Sequence, residues 1–191
     1  MNAALNSISS DKYNKSDMFF CAQCKMSGLC SSGCKNLHLS HDLSSIISKH
    51  QMVSRGEYLF QEHRPFKSLF AIRSGSFKTY SENANGEVQI IGIYLPGDII
   101  GLDSTNTNTH KSSAKALEAS SICSIPFNEL ELLAAKKPQL QHYFFALMSE
   151  EIKRSQVISF LLSKKSSEGR IASLLLDLSE RLGLNGSPVE Y

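Results

Sequence analysis

From Leu140 to Lys165 the chain runs for about seven helical turns without a glycine or proline. The preceding seventy or so residues are written in the opposite pattern. From about Arg55 to Phe127, short apolar runs are punctuated by turn residues: SLFAIRS, then SFKTY after Gly75, then EVQIIGIYL after the turn dipeptide Asn85-Gly86. In the last of these, Val88, Ile90, Gly92 and Tyr94 fall on one face and Ile91, Ile93 and Leu95 on the other. Pro96-Gly97-Asp98 closes it as a turn. A polar loop, DSTNTNTHKSS, leads to AKALEAS and SICSIPF. Strands this short and this closely spaced fit a sandwich or small barrel rather than alternating β/α units. A β-only block followed by a helix-only block makes the chain α+β, mainly β in its first part.

After Pro126 the period becomes helical. FNELELLAAKK forms a short helix stopped by Pro138. In the long run that follows, Phe145, Met148, Ile152, Ser155, Ser159 and Leu162 recur at alternating three- and four-residue steps, a coiled-coil-like seam with two small polar members. Such a seam suits either packing on the β block or pairing with a second copy. The far face, with Glu151, Lys153 and Arg154, is expected to be solvated. A third helix, SEGRIASLLLDLSERLG, aligns Ile171, Leu174, Leu175, Leu178 and Leu182, with Gly183 or Gly186 expected as its cap. Residues 1–18 read as a polar tail, 19–38 as a cysteine-rich loop, 39–138 as the β domain, 139–165 as the long helix and 166–191 as the start of a further helical unit.

Twenty Lys and Arg against eighteen Asp and Glu leave a net charge of +2, which predicts no strong bulk attraction to nucleic acid or membrane. No stretch reaches the ~18 apolar residues of a membrane span, and the N-terminus has no signal-peptide core, so the cytoplasm is the expected location. Five cysteines, an odd number in 191 residues, do not suit a disulfide scaffold. Four of them crowd into FFCAQCKMSGLCSSGC, where Cys21-x2-Cys24-x5-Cys30 is followed by Cys34. The two-residue gap lets neighbouring sulfurs turn toward one centre. By spacing alone the four could hold zinc, three of them with a distant thiol could hold an iron–sulfur cluster, or they could bind nothing. The distant thiol, Cys123, shares a strand face with Ile125 and, taken alone, reads first as a packed core residue. The six histidines, His38, His41, His50, His63, His110 and His142, show no metal-ligand or nucleophile spacing, and phosphate-binding glycine loops are absent. The chain is not expected to be an enzyme.

Taken together and in order, Cys21-x2-Cys24-x5-Cys30, KSLFAIRSGSFK, GDIIGLD, KALEASSICSIPF, LMSEEIK and LLSKK resemble the oxygen-responsive FNR branch of the Crp/Fnr transcription regulators. The resemblance covers about Cys21 to Arg181. It implies a double-stranded β-helix, a jelly roll of the cyclic-nucleotide-binding type, followed by a long dimerisation helix. It implies a [4Fe–4S] cluster held by Cys21, Cys24, Cys30 and Cys123, with Cys34 outside the family pattern as a spare or substitute ligand. It further implies that the seam from Phe145 to Leu162 forms a homodimer.

In the Crp-like branch of that family a Gly-Glu pair and an Arg-Ser/Thr pair hold a cyclic nucleotide. Here Gly97-Asp98 and Lys111-Ser112-Ser113-Ala114 stand nearby, but the arginine fork suited to a phosphate is missing, so no cyclic nucleotide is expected. Family members continue into a winged helix-turn-helix that enters the major groove. Only what resembles its first helix is present before Tyr191, so contacts with DNA and RNA polymerase are expected only of a full-length form. The other reading is a zinc-stabilised or cofactor-free β-roll dimerisation module without DNA binding.

Overall fold

The computed structural model describes residues 46–164 and 166–184. Cys21, Cys24, Cys30, Cys34 and the Gly186 cap lie outside them.

Eight strands form two antiparallel four-stranded sheets. One has the order β1 (Ser48–Val53), β8 (Ser120–Pro126), β3 (Ser68–Ser74), β6 (Ile99–Ile100). The other has the order β2 (Tyr58–Phe60), β7 (Ser113–Ala116), β4 (Phe77–Glu82), β5 (Val88–Tyr94). Sequence-distant strands are neighbours in both, as a jelly roll requires. The runs around Ser68, Phe77, Val88, Ser113 and Ser120 become strands as their sequence indicates; β1, β2 and β6 carry too little periodic signal to stand out.

Period-two alternation builds two cores from the first sheet. Ile72 and Ile122 point between the sheets, where they meet Val53, Phe60, Phe77, Ile100 and Ala116. Their strand neighbours Leu69, Ala71 and Ile125 point outward, into a second core completed by helical residues. Those helices are α1 (Phe127–Lys136), α2 (Pro138–Lys164) and α3 (Ser167–Leu184). Leu130 of α1 and Leu140 and Leu147 of α2 are buried on the outer face of the sheet. Pro138 ends α1 and opens α2, since its fixed φ and missing N–H are harmless in a first turn.

Two details depart from the sequence pattern. Thr79 pairs with Gly92 but Tyr80 pairs with Ile90, so Ile91 is an extra residue in a β-bulge. The strict alternation expected for β5 therefore breaks there, and Ile90 and Ile91 are both exposed. Gly183 does not cap α3, which runs through it to Leu184.

Candidate functional site

Cys123 lies on β8, the inner strand between β1 and β3, opposite His50 on one side and Ala71 on the other. It is half-buried and packs on the outer core, the layer shared by Leu69, Ile125, Leu140 and Leu147. Ile46 and Ile47, the first described residues after the cysteine-rich segment, pack on the same core. The thiol therefore sits in the layer between sheet and long helix, where the chain coming from the other four cysteines also arrives. Among the described residues no group of three or more His, Cys, Asp or Glu could hold a metal.

The residues nearest a nucleotide-binding pattern are engaged internally. The Ser112 hydroxyl faces Asp103 Oδ2 at 3.3 Å, and Ser113 Oγ accepts the Glu62 N–H at 3.0 Å. Ser104 Oγ donates to Asp103 Oδ1 at 2.9 Å and accepts the Lys111 N–H at 3.3 Å. The Lys111 residue is exposed.

Asp98 is buried, and its carboxylate faces two arginines instead of an open pocket. The β5–β6 turn holds it: Gly97, at φ 92°, donates to Ile72 O, and Ile72 donates to Asp98 O. Leu95 N–H donates to Oδ2 at 3.0 Å. Arg154 of α2 donates from Nη2 to Oδ1 at 3.1 Å, and Arg181 of α3 donates from Nη2 to Oδ2 at 2.6 Å. Beside them, the Tyr94 hydroxyl donates to Glu151 Oε1 at 2.8 Å, and the Arg154 guanidinium lies over the Tyr94 ring, 5.4 Å from its centroid. Burial, reinforced by the Glu151 charge, pushes the Tyr94 phenol far above its ordinary value. Burial works against the Arg154 charge, but Asp98 and Glu151 outweigh it and raise that guanidinium's pKa. The expectation of a solvated far face on α2 is thus wrong for Glu151 and Arg154, and holds only for Lys153, which is exposed. Glu151 and Arg154 follow buried Leu147 at four- and seven-residue steps, on the helix face turned to the roll, where the turn at Asp98 offers them a buried countercharge; their polarity alone suggests solvent.

Along the seam of α2, Phe145, Ile152, Ser155 and Ser159 are exposed and Met148 is half-buried. Leu162 lies in the helix. With Phe145 60% and Ile152 59% exposed, the seam is not spent on packing against the β domain. On α3, Ile171, Leu174 and Leu175 are likewise exposed. No helix among the described residues is long and apolar enough to cross a membrane.

Comparison with known proteins matches this architecture. Residues 50–137 fit the cyclic nucleotide-binding domain family. The chain is 41% identical over 166 residues to electron transport regulator A of Shewanella oneidensis, which covers 87% of this chain and 66% of that protein. It is 41% identical over 172 residues to the fumarate nitrate reduction regulatory protein of Klebsiella oxytoca, covering 90% of this chain and 69% of that one. Among solved structures, FixK2 of Bradyrhizobium japonicum superposes with a TM-score of 0.67 at 24% identity, over 71% of this chain and 67% of that one. The catabolite activator protein of Thermus thermophilus does so with a TM-score of 0.58 at 19% identity, over 85% and 80%. The chain spans about two thirds of the length of the relatives it matches. With two sheets and a long helix in the arrangement of these structures, and identity of this level across nearly its whole length, the chain belongs to the FNR group of the Crp/Fnr family of transcription regulators, a non-enzymatic family.

Proposed function

We propose that the chain is the sensing part of an oxygen- or redox-responsive transcription regulator of the cytoplasm, built to hold a [4Fe–4S] cluster with Cys21, Cys24, Cys30 and Cys123. The observation that carries this reading is the position of Cys123, in the one packed layer that touches both the arriving N-terminal chain and the long helix. A thiolate suits soft iron, and half-burial restricts water without sealing the sulfur away. When bound, the cluster supplies an oxygen-labile, four-thiolate crosslink between the N-terminal segment and the roll. Cys34 is a spare thiol or substitute ligand.

The rest is done by the chain's own residues. With all four ligands engaged, Ile46 and Ile47 are held on the outer core, and that core supports Leu140 and Leu147 of α2. Loss of ligation frees the N-terminal segment, loosens the layer under α2 and shifts the face that α2 presents. That face, from Phe145 to Leu162, pairs with a second copy, and DNA and RNA polymerase are the partners of a full-length form. Asp98 is spoken for by arginines and Lys111 is no substitute for an arginine fork, so the roll works without a cyclic nucleotide.

Single Cys→Ala substitutions test the ligand set. After anaerobic reconstitution, Cys21→Ala, Cys24→Ala, Cys30→Ala and Cys123→Ala should each lose the bound iron, whereas Cys34→Ala should keep it. A colourless Cys34→Ala protein beside a brown Cys123→Ala protein would give the fourth position to Cys34. Zinc but no iron in the unsubstituted chain, kept by Cys123→Ala and lost by Cys21→Ala, Cys24→Ala, Cys30→Ala and Cys34→Ala, would leave the zinc-stabilised dimerisation module as the better description.

A further inference from the structure

We infer that Asp98 is a positioning residue that docks α3 on the β-roll and makes its placement depend on that of α2. The consequence for regulation rests on the reading above, because α3 stands where these regulators pass from sensor to output; the structural claim does not.

The geometry is one carboxylate shared by three elements. Oδ1 takes Arg154 from α2, and Oδ2 takes Arg181 from α3 together with the Leu95 N–H of its own turn. Arg181 has a second anchor on the roll, since the same Nη2 donates to Ile93 O at 3.0 Å on β5, the end strand of its sheet. Its Nη1 is held within α3 by Asp177 at 3.2 Å, one helical turn back. Arg181 thus reaches the roll already oriented, as a fork with one prong fixed at home.

Burial gives these contacts their weight. The side chains of Asp98, Arg181 and Arg154 are 9%, 19% and 23% exposed, so salt and water screen them poorly. Buried ion pairs add little net stability over an apolar replacement, yet removing one partner is costly, so their main effect is to fix one arrangement. Apolar packing does less of this for α3: Ile171, Leu174, Leu175 and Leu176 remain exposed, while Leu178 and Leu182 are half-buried. The polar anchor at Arg181 therefore carries much of the placement of α3.

Coupling follows from the sharing. Arg154 holds Asp98 by Oδ1 and lies 3.6 Å from Glu151, which in turn receives the Tyr94 hydroxyl of β5. A movement of α2 that withdraws Arg154 removes one cation from the carboxylate that holds Arg181 and changes the position and charge balance at Oδ2. A displacement sensed on α2 is thereby passed to α3 through the carboxylate that Arg154 and Arg181 share.

Amide hydrogen exchange on the purified full chain tests this, and it needs neither cluster nor DNA, so its failure is separable from failure of the regulator reading. Arg181→Met should raise exchange across Ser167–Leu184 by about tenfold or more and leave β3 and β8 unchanged. Arg181→Lys, which keeps one charged donor for Asp98, should give an intermediate rise. Arg154→Met should also raise exchange in α3, an effect that a purely local role for Arg154 would not produce. Asp98→Asn should reproduce both; if it also exposes β3 and β8, the roll itself is damaged and the arginine variants, which lie outside the roll, decide. Unchanged α3 exchange in Arg181→Met, or equal exchange in Arg181→Lys and Arg181→Met, would overturn the docking. A response to Arg181→Met with none to Arg154→Met would overturn the coupling.

Discussion

Ser155→Leu is the sharpest test of how α2 works. Ser155 is exposed and lies one step along the seam from Ile152, which is 59% exposed. A leucine there has no partner to lose within one copy, so the stability of the isolated chain should barely change. In a twofold pairing through the seam, two leucines become covered at once. Fully burying a leucine is worth about 1.5–3 kcal/mol, so two bring about 3 kcal/mol even at the low end. That converts to roughly a hundredfold tighter dimer. Sedimentation equilibrium on matched concentrations of wild type and Ser155→Leu, each with and without reconstituted iron, measures it directly. Wild type should pair more tightly when reconstituted, and Ser155→Leu should pair in both states. Ile152→Glu should stay monomeric in both, because pairing would bring two like charges together across the symmetry axis. An unchanged dissociation constant in Ser155→Leu would refute the assignment of this face as the interface, whatever the cofactor.

Three further outcomes follow from the packing. His110 is 3% exposed, its ring stacked on Phe60 with centroids 3.7 Å apart and meeting Phe66 edge-on, and burial lowers its pKa below the ordinary 6.5 despite the nearby Asp103. The unfolded chain therefore binds the proton first, so stability should fall as pH drops from about 6.5 through the depressed folded value; urea titrations should show this contribution gone in His110→Phe. Gly75 adopts φ +80° in the β3–β4 turn, where an added Cβ would lie 2.7 Å from the Ser120 Cα and overlap its hydroxyl. Gly75→Ala should accordingly lower the melting temperature markedly, or prevent folding. Leu147→Ala, in the core beneath α2, should cost about 2–5 kcal/mol in chemical unfolding, and a cost under 1 kcal/mol would mean that the helix is not seated on the sheet as described.

What could be read from the sequence follows the range of the forces involved. The strands around Ser68 and Phe77 and the three helices among the described residues are legible because their apolar residues repeat at the local period, which each segment imposes on itself. Strands β1, β2 and β6 are not, since β2 and β6 are only three and two residues long and SKHQMV in β1 has no apolar alternation; they exist because neighbouring strands offer them hydrogen bonds. The Ile91 bulge is invisible for a similar reason, being a property of the pairing with Thr79 and Tyr80. At the candidate site, Cys123 and its face-sharing with Ile125 follow from alternation, while its place beneath α2 needed the tertiary structure. The polarity of Arg154 and Glu151 points to solvent, although their four- and seven-residue steps from Leu147 place them on its buried face. Their roles come from residues more than fifty positions away, Asp98 and Tyr94, and Arg181 reaches Asp98 across 83. Only the fold brings such pairs together.

The central claim, that Cys123 and the N-terminal cysteines together hold an oxygen-labile cluster, is tested most directly by iron and sulfide analysis of the anaerobically prepared chain, with its visible absorption followed as air is admitted. About four iron and four sulfide per chain are expected, with a broad absorption that bleaches in air. Stoichiometric zinc, with no iron taken up and a spectrum indifferent to oxygen, would contradict it.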